Sequence, residues 1–162
     1  MWTEFLSWME LSALGRFIRE AGPWAYPIVN LSHILGIASL FGSTLVIDLR
    51  LMGLWPSVPI GPLSSAIVPI ATSGFCLAVL SGTGLLATNA TEYAGNPLLP
   101  LKFVAIALGL VNVIVLNASP AWRARHDREL SRAEQRQLAV MGGLSLACWL
   151  TAVSLGRMIA YW

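Results

Sequence analysis

Charge is scarce in this sequence. Ten Lys and Arg and eight Asp and Glu make up 11% of its 162 residues, where a soluble domain carries about a quarter. Hydrophobic residues fill 56% and the mean hydropathy is +0.70, which fits a chain whose outer surface faces lipid. The net charge of +2 is too small to point to nucleic acid. Cysteine is nearly absent too. Cys76 and Cys148 both lie in apolar runs, which excludes a disulfide framework and a Cys-rich metal site. There is no P-loop, no G-x-S-x-G and no pair of intramembrane carboxylates, so nucleotide-binding and hydrolase readings fail. Glu4 and Glu10 stand where a signal peptide would be basic, and no signal-type apolar core follows, so no cleaved signal is expected.

What is present is four long apolar runs. A membrane-crossing helix needs about 20 mostly apolar residues, and four segments qualify, at about 24–47, 63–88, 98–117 and 138–161. Pro56, Pro59 and Pro62 break the chain after the first, "TEYAGNP" after the second, and the basic stretch 119–137 after the third. The length suits one domain. The expected fold is therefore all-α, an integral membrane four-helix bundle forming a single transmembrane domain over 1–162. Residues 1–22 precede the first span and mix Trp2, Phe5, Trp8, Phe17 and Ile18 with charges, without one clean apolar stripe. They read as a short interfacial helix on the membrane, or as a helix capping the bundle.

Lys and Arg favour the cytoplasmic side. Arg50, Arg123, Arg125, Arg128, Arg132 and Arg136 fall on one side, and Arg16, Arg19, Lys102 and Arg157 on the other. The 119–137 loop is therefore expected in the cytoplasm. Both termini are then periplasmic, and the compartment is the bacterial inner membrane.

A charged side chain in hydrocarbon costs about 2.5–3.5 kcal/mol on insertion scales, so each ionisable group inside a span needs a partner, an exit to water or a role. His33 lies about nine residues into the first span, roughly 13 Å deep at ~1.5 Å per residue. That is too deep for its side chain to reach water. Lys102 and Arg157 fall in the same half of the bilayer by this topology. A neutral imidazole can ligate iron or copper, and two cations near the surface would suit the propionates of haem. The competing reading is a neutral histidine hydrogen-bonded to a neighbouring helix, at Asn112 or a backbone carbonyl. Asn30 sits one turn before His33 and could accept from the second ring nitrogen, and Met158 is a candidate axial ligand. On helical wheels, Lys102, Ala105, Gly109 and Asn112 share one face of the third span. Pro69, Ser73, Cys76 and Thr83 share one face of the second. Both faces are expected to look inward, mostly for packing. Asp48 and Arg50 read as an anchor at the end of the first span, and His126 as a solvated loop residue.

"VNLSHILGIASLFGSTLVIDLRLMG" and "NPLLPLKFVAIALGLVNVIVLN" resemble a small, uncharacterised bacterial family of four-helix membrane proteins. That family is distantly similar to CopD-type copper-resistance proteins and HemJ-type protoporphyrinogen oxidases. Those proteins share a histidine in an early span and a lysine opening a later one, matched here by His33 and Lys102. The HemJ-type likeness implies b-type haem and porphyrin oxidation; the CopD-type likeness implies copper handling at the periplasmic face. Where those proteins often carry further histidines, this chain has Asn112 and Asn117.

Three functions follow as expectations. The first is haem b on His33 for electron transfer or porphyrin chemistry, with Lys102, Arg157, Asn30 and Asn112 around it. The second is copper handling, and the third is a structural subunit without a cofactor. Lipid is a partner in every case, with a homo-oligomer or other membrane subunits beside it. The topology is testable directly. A reporter fused after Glu134 should read as cytoplasmic and one fused after Trp162 as periplasmic; the reverse pattern would invert the orientation.

Overall fold

The computed structural model describes residues 1–161, and no strand occurs among the described residues. Helices run in the order α1 (Trp2–Glu10), α2 (Ala13–Glu20), α3 (Ala25–Leu51), α4 (Ile60–Thr88), α5 (Leu98–Ala118), α6 (Pro120–Arg123) and α7 (Arg132–Met158), with short 3-10 turns at Ala90–Tyr93, Ala124–His126 and Ile159–Tyr161. Four helical segments, Ala25–Leu51, Ile60–Thr88, Leu98–Ala118 and Arg132–Tyr161, are long and apolar enough to cross a membrane. Within their apolar windows only 11% to 28% of residues are buried by the chain itself. Leu80, Leu108, Ile114 and Val140 stand open. Side chains of this kind each forfeit about 1.5–3 kcal/mol when left in water, so the environment that fits these helices is lipid, in a multi-pass membrane protein.

Several boundaries differ from the sequence reading: the second long helix starts at Ile60 and takes in Pro62, and two further differences have a local reason. The 1–22 segment is two helices, not one. Ser12 breaks it by N-capping α2, its Oγ accepting from Gly15 N–H at 3.2 Å. The break resets the helical phase, which is why no single stripe runs through 2–22. The fourth long helix starts at Arg132, earlier than expected, because Ser131 and Glu134 form a capping box. Glu134 also receives both Nη groups of Arg128, at 2.9 and 2.6 Å. The first long helix continues to Leu51 and so includes Asp48 and Arg50.

The chain divides into two compact units, each drawing on both α3 and α4. The first comprises Met1–Leu40 and Thr72–Pro97. There Arg19 donates through Nη1 to the carbonyls of Ala87 (3.3 Å) and Thr88 (2.9 Å), and through Nη2 to Glu10 O (2.8 Å). One guanidinium thus satisfies carbonyls at the C-terminal ends of α4 and α1, which the helices themselves leave unpaired. Glu10 Oε2 accepts from the Thr91 N–H and hydroxyl, both at 2.7 Å, and Leu6 and Ala90 are fully buried. The short helices are therefore tied to the end of α4 while Trp8, Phe17 and Trp24 stay exposed.

The second unit comprises Phe41–Ala71 and the chain from Leu98 onward. Its apolar core gathers Ile47, Leu51, Leu116, Ala121, Trp122 and Leu138. Arg125 clamps this core's edge. Its Nε donates to Ser64 Oγ (2.9 Å), Nη1 donates to Trp122 O (2.5 Å), and its guanidinium lies 4.0 Å from the centre of the Trp122 ring.

The hydrogen bonds from the Thr91 hydroxyl and then its N–H hold the Glu10 carboxyl below its ordinary 4.5. A lowered carboxyl supports the folded state above its unfolded value and stops doing so as pH falls through the folded value. Amide protection in residues 2–10 should therefore hold from neutral pH down to that ordinary value and decline below it. Glu10→Gln should show the decline already at neutral pH. Equal protection in the two proteins would show that this clasp does not hold α1.

Candidate functional site around His33

His33 belongs to the first unit, where its ring packs from α3 onto α4. Nδ1 lies 2.9 Å from Ala78 O and 3.2 Å from Ser81 Oγ. The tautomer follows from the neighbours. A carbonyl can only accept, and the Ser81 hydroxyl has given its own proton to Leu77 O at 2.5 Å. Nδ1 is therefore protonated and donates to both, and in a neutral ring the lone pair is then on Nε2. The ring is half-buried.

Glycines make room for this arrangement. A Cβ on Gly82 would fall 2.8 Å from His33 Cε1. Deeper in the same helix pair, a Cβ on Gly36 would lie 2.6 Å from Ala78 N, and one on Gly74 would lie 2.6 Å from Leu40 N. The two backbones touch, as membrane helices do at small residues. The α4 face in this contact is Gly74, Ala78, Ser81 and Gly82. The face carrying Pro69, Ser73, Cys76 and Thr83, expected to look inward, is exposed instead. The spacing of the small residues at 74, 78 and 81 is the sequence signal for the true face.

The other expected site residues sit as follows. Asn30 is exposed, and the acceptors for His33 are Ala78 and Ser81. Lys102, Asn112, Arg157 and Met158 belong to the second unit. The wheel face of Lys102, Ala105, Gly109 and Asn112 does meet α7. Lys102 runs along Gly156, where a Cβ would be 3.2 Å from Nζ. Ala105 is buried, Gly109 lies under the Trp149 ring, and Asn112 Nδ2 donates to Met141 O at 3.0 Å. Arg157 is exposed, donates to the Tyr161 hydroxyl and stacks on that ring with its guanidinium 4.8 Å from the centre. Met158 is 58% exposed. Asn117 is engaged with Val113 O and Trp122 Nε1. His126 lies in an exposed turn beside Gly61. Among the described residues no group of three or more His, Cys, Asp or Glu gathers to hold a metal ion.

Asp48 and Arg50 do not form the end anchor expected of them. Arg50 turns into the following loop, Nε donating to Val58 O (2.6 Å) and Nη2 to Pro56 O (3.2 Å). Asp48 turns the other way, into the interior, and is 3% exposed.

Comparison with known proteins finds no family, no curated relative and no solved structure that matches the chain. Function is therefore read from the residues.

In 15N-labelled protein, His33 should show a neutral imidazole protonated at Nδ1. Ser81→Ala should keep that tautomer, because Ala78 O remains. Gly82→Val should force the ring out and lower stability by about 1–3 kcal/mol, the usual cost of overpacking. A ring protonated at Nε2 in the unaltered protein would contradict the geometry.

Proposed function

We propose that this protein binds b-type haem through His33, as a small multi-pass protein of the bacterial inner membrane serving electron transfer or porphyrin chemistry. The observation that carries the reading is the pair of acceptors on Nδ1. A metal-bound histidine characteristically donates its other ring N–H to a carbonyl or carboxylate, which fixes the tautomer and raises the basicity of the ligating nitrogen. Ala78 O and Ser81 Oγ stand in that position here. The donor set fits an iron held by a porphyrin, which needs one protein nitrogen, better than a copper site built from several side chains.

When bound, haem supplies one-electron chemistry. The chain's own part is to hold and orient. Nε2 would hold the iron, Ala78 O and Ser81 Oγ keep the ring from rotating, and Gly82 lets the imidazole sit against α4. His33 is the one histidine within the membrane-crossing helices. A second histidine ligand, where the bound group took one, would come from another copy or a partner subunit, and the assembly we propose is a homo-oligomer or a complex with other membrane subunits. The four long helices pack as a bundle with both termini periplasmic, as the basic 119–137 loop suggests. The exposed Trp2, Trp8, Phe17 and Trp24 suit α1 and α2 to the water–lipid interface.

The test is a visible spectrum of purified protein, oxidised and reduced. A Soret band is expected, and His33→Ala should remove it while membrane insertion continues. If no Soret band appears and His33→Ala assembles normally, His33 is a packing residue and the protein is a structural subunit. The same Nδ1 bonds would then serve only to satisfy a half-buried imidazole.

A further inference from the structure

A second ionisable side chain within the membrane-crossing helices has a different environment. Asp48, in the second unit, is 3% exposed. The Ser145 hydroxyl of α7, itself 4% exposed, lies beside its carboxyl. Its Oδ2 has no hydrogen-bond partner and no solvent access. The helix contact around it is tight: a Cβ on Gly142 would lie 2.9 Å from Asp48 O and 3.0 Å from Leu51 Cβ. Ile47 and Leu51, its neighbours on α3, are in the apolar core.

Every nearby charge is committed elsewhere. α7 presents Gly142 and Ser145 to Asp48, and neither is ionisable. Arg50 is bonded into its loop and Arg125 to Ser64 and Trp122. Arg132 and Arg136 of α7 are exposed, as is His126. Among the described residues the ion pairs are Met1 with Glu4 and Arg128 with Glu134, and neither involves Asp48. An ionised carboxylate placed so would be an uncompensated charge in an apolar interior. In such places a carboxyl takes up a proton instead. A neutral carboxyl also explains the geometry, since a single hydroxyl partner suffices for it. A carboxylate has about four acceptor sites to satisfy.

We propose that Asp48 and Ser145 form an intramembrane proton-binding site, with the proton as its ligand and the Ser145 hydroxyl positioning the carboxyl. Asp48 lies one turn from the end of α3, so a small opening of the α3–α7 contact connects it to the loop that follows. The site is separate from His33, and it stands whether or not haem is bound.

Infrared spectroscopy of the full-length protein in liposomes tests this. At neutral pH the unaltered protein should show the carbonyl stretch of a protonated carboxyl group, moving to lower frequency in D2O. Asp48→Asn should lack that band, and Ser145→Ala should move it, because a hydrogen bond to the carboxyl is gone. If the unaltered protein and Asp48→Asn superimpose in this region, or Ser145→Ala leaves the band in place, the proposal is overturned. Should Asp48→Asn fail to insert, Ser145→Ala and the D2O shift decide the matter between them. The alternative they would leave is an ionised Asp48 neutralised by a cation or a basic partner residue.

Discussion

Helix contacts in this protein are set by how closely two backbones approach at glycine. Lipid tails are as apolar as leucine, so burial supplies no drive for two helices to meet inside a membrane. Van der Waals contact and hydrogen bonds must hold them together. Here the notch left by a missing Cβ is where large or polar side chains are received. His33 faces Gly82, Lys102 runs along Gly156, Trp149 covers Gly109, and the α3 backbone at Asp48 lies on Gly142. Each pair lies within one compact unit. Adding a methyl group at these glycines would act first on the helix contact and only then on the side chain it admits.

The second organising rule concerns acceptors. Polar side chains in this protein mostly find backbone carbonyls. Arg19 takes carbonyls of Glu10, Ala87 and Thr88, Asn112 takes Met141 O, His33 takes Ala78 O, and Ser81 takes Leu77 O. A helix carbonyl has a second lone pair to offer without losing its own ladder bond. Such a bond adds about 0.5–1.5 kcal/mol net, while a buried donor left unmade costs about 1–3 kcal/mol. The arrangement is therefore better understood as avoiding a penalty than as gaining stability. It works for donors. An ionised Asp48 would carry only acceptor oxygens, which a carbonyl cannot satisfy, and that difference in chemistry is what singles it out among the polar groups of the interior.

Much of the fold was legible in the sequence, because membrane-crossing helices are written in length and hydropathy alone. The third span, expected over 98–117, is Leu98–Ala118. The losses came where local chemistry overrides composition. Ser131 with Glu134 is a capping signature readable from the sequence, yet hydropathy placed the fourth span several residues later, because its first turns are charged. Ser12 similarly divides the N-terminal segment. Inter-helix partners were not legible. A wheel orders residues around one helix but does not say which neighbour they meet, so polarity drew the α4 face to Ser73, Cys76 and Thr83. The contact instead falls on the smallest residues, Gly74, Ala78 and Ser81. Asp48 was misread for a related reason. Proximity to Arg50 in sequence suggested a pair, but on a helix residues two apart point in different directions.

Packing and ligation make the same demand on the His33 ring. A neutral histidine between membrane helices has one donor and one acceptor to place. The donor is the costly one, and Ala78 O and Ser81 Oγ receive it. That same bond is what a metal-ligating histidine requires of its surroundings. A helix contact that evolved only to satisfy an imidazole would thus already hold Nε2 in a fixed orientation with its lone pair intact. The close approach at Gly36 and Gly74 holds the two helices together beside the ring.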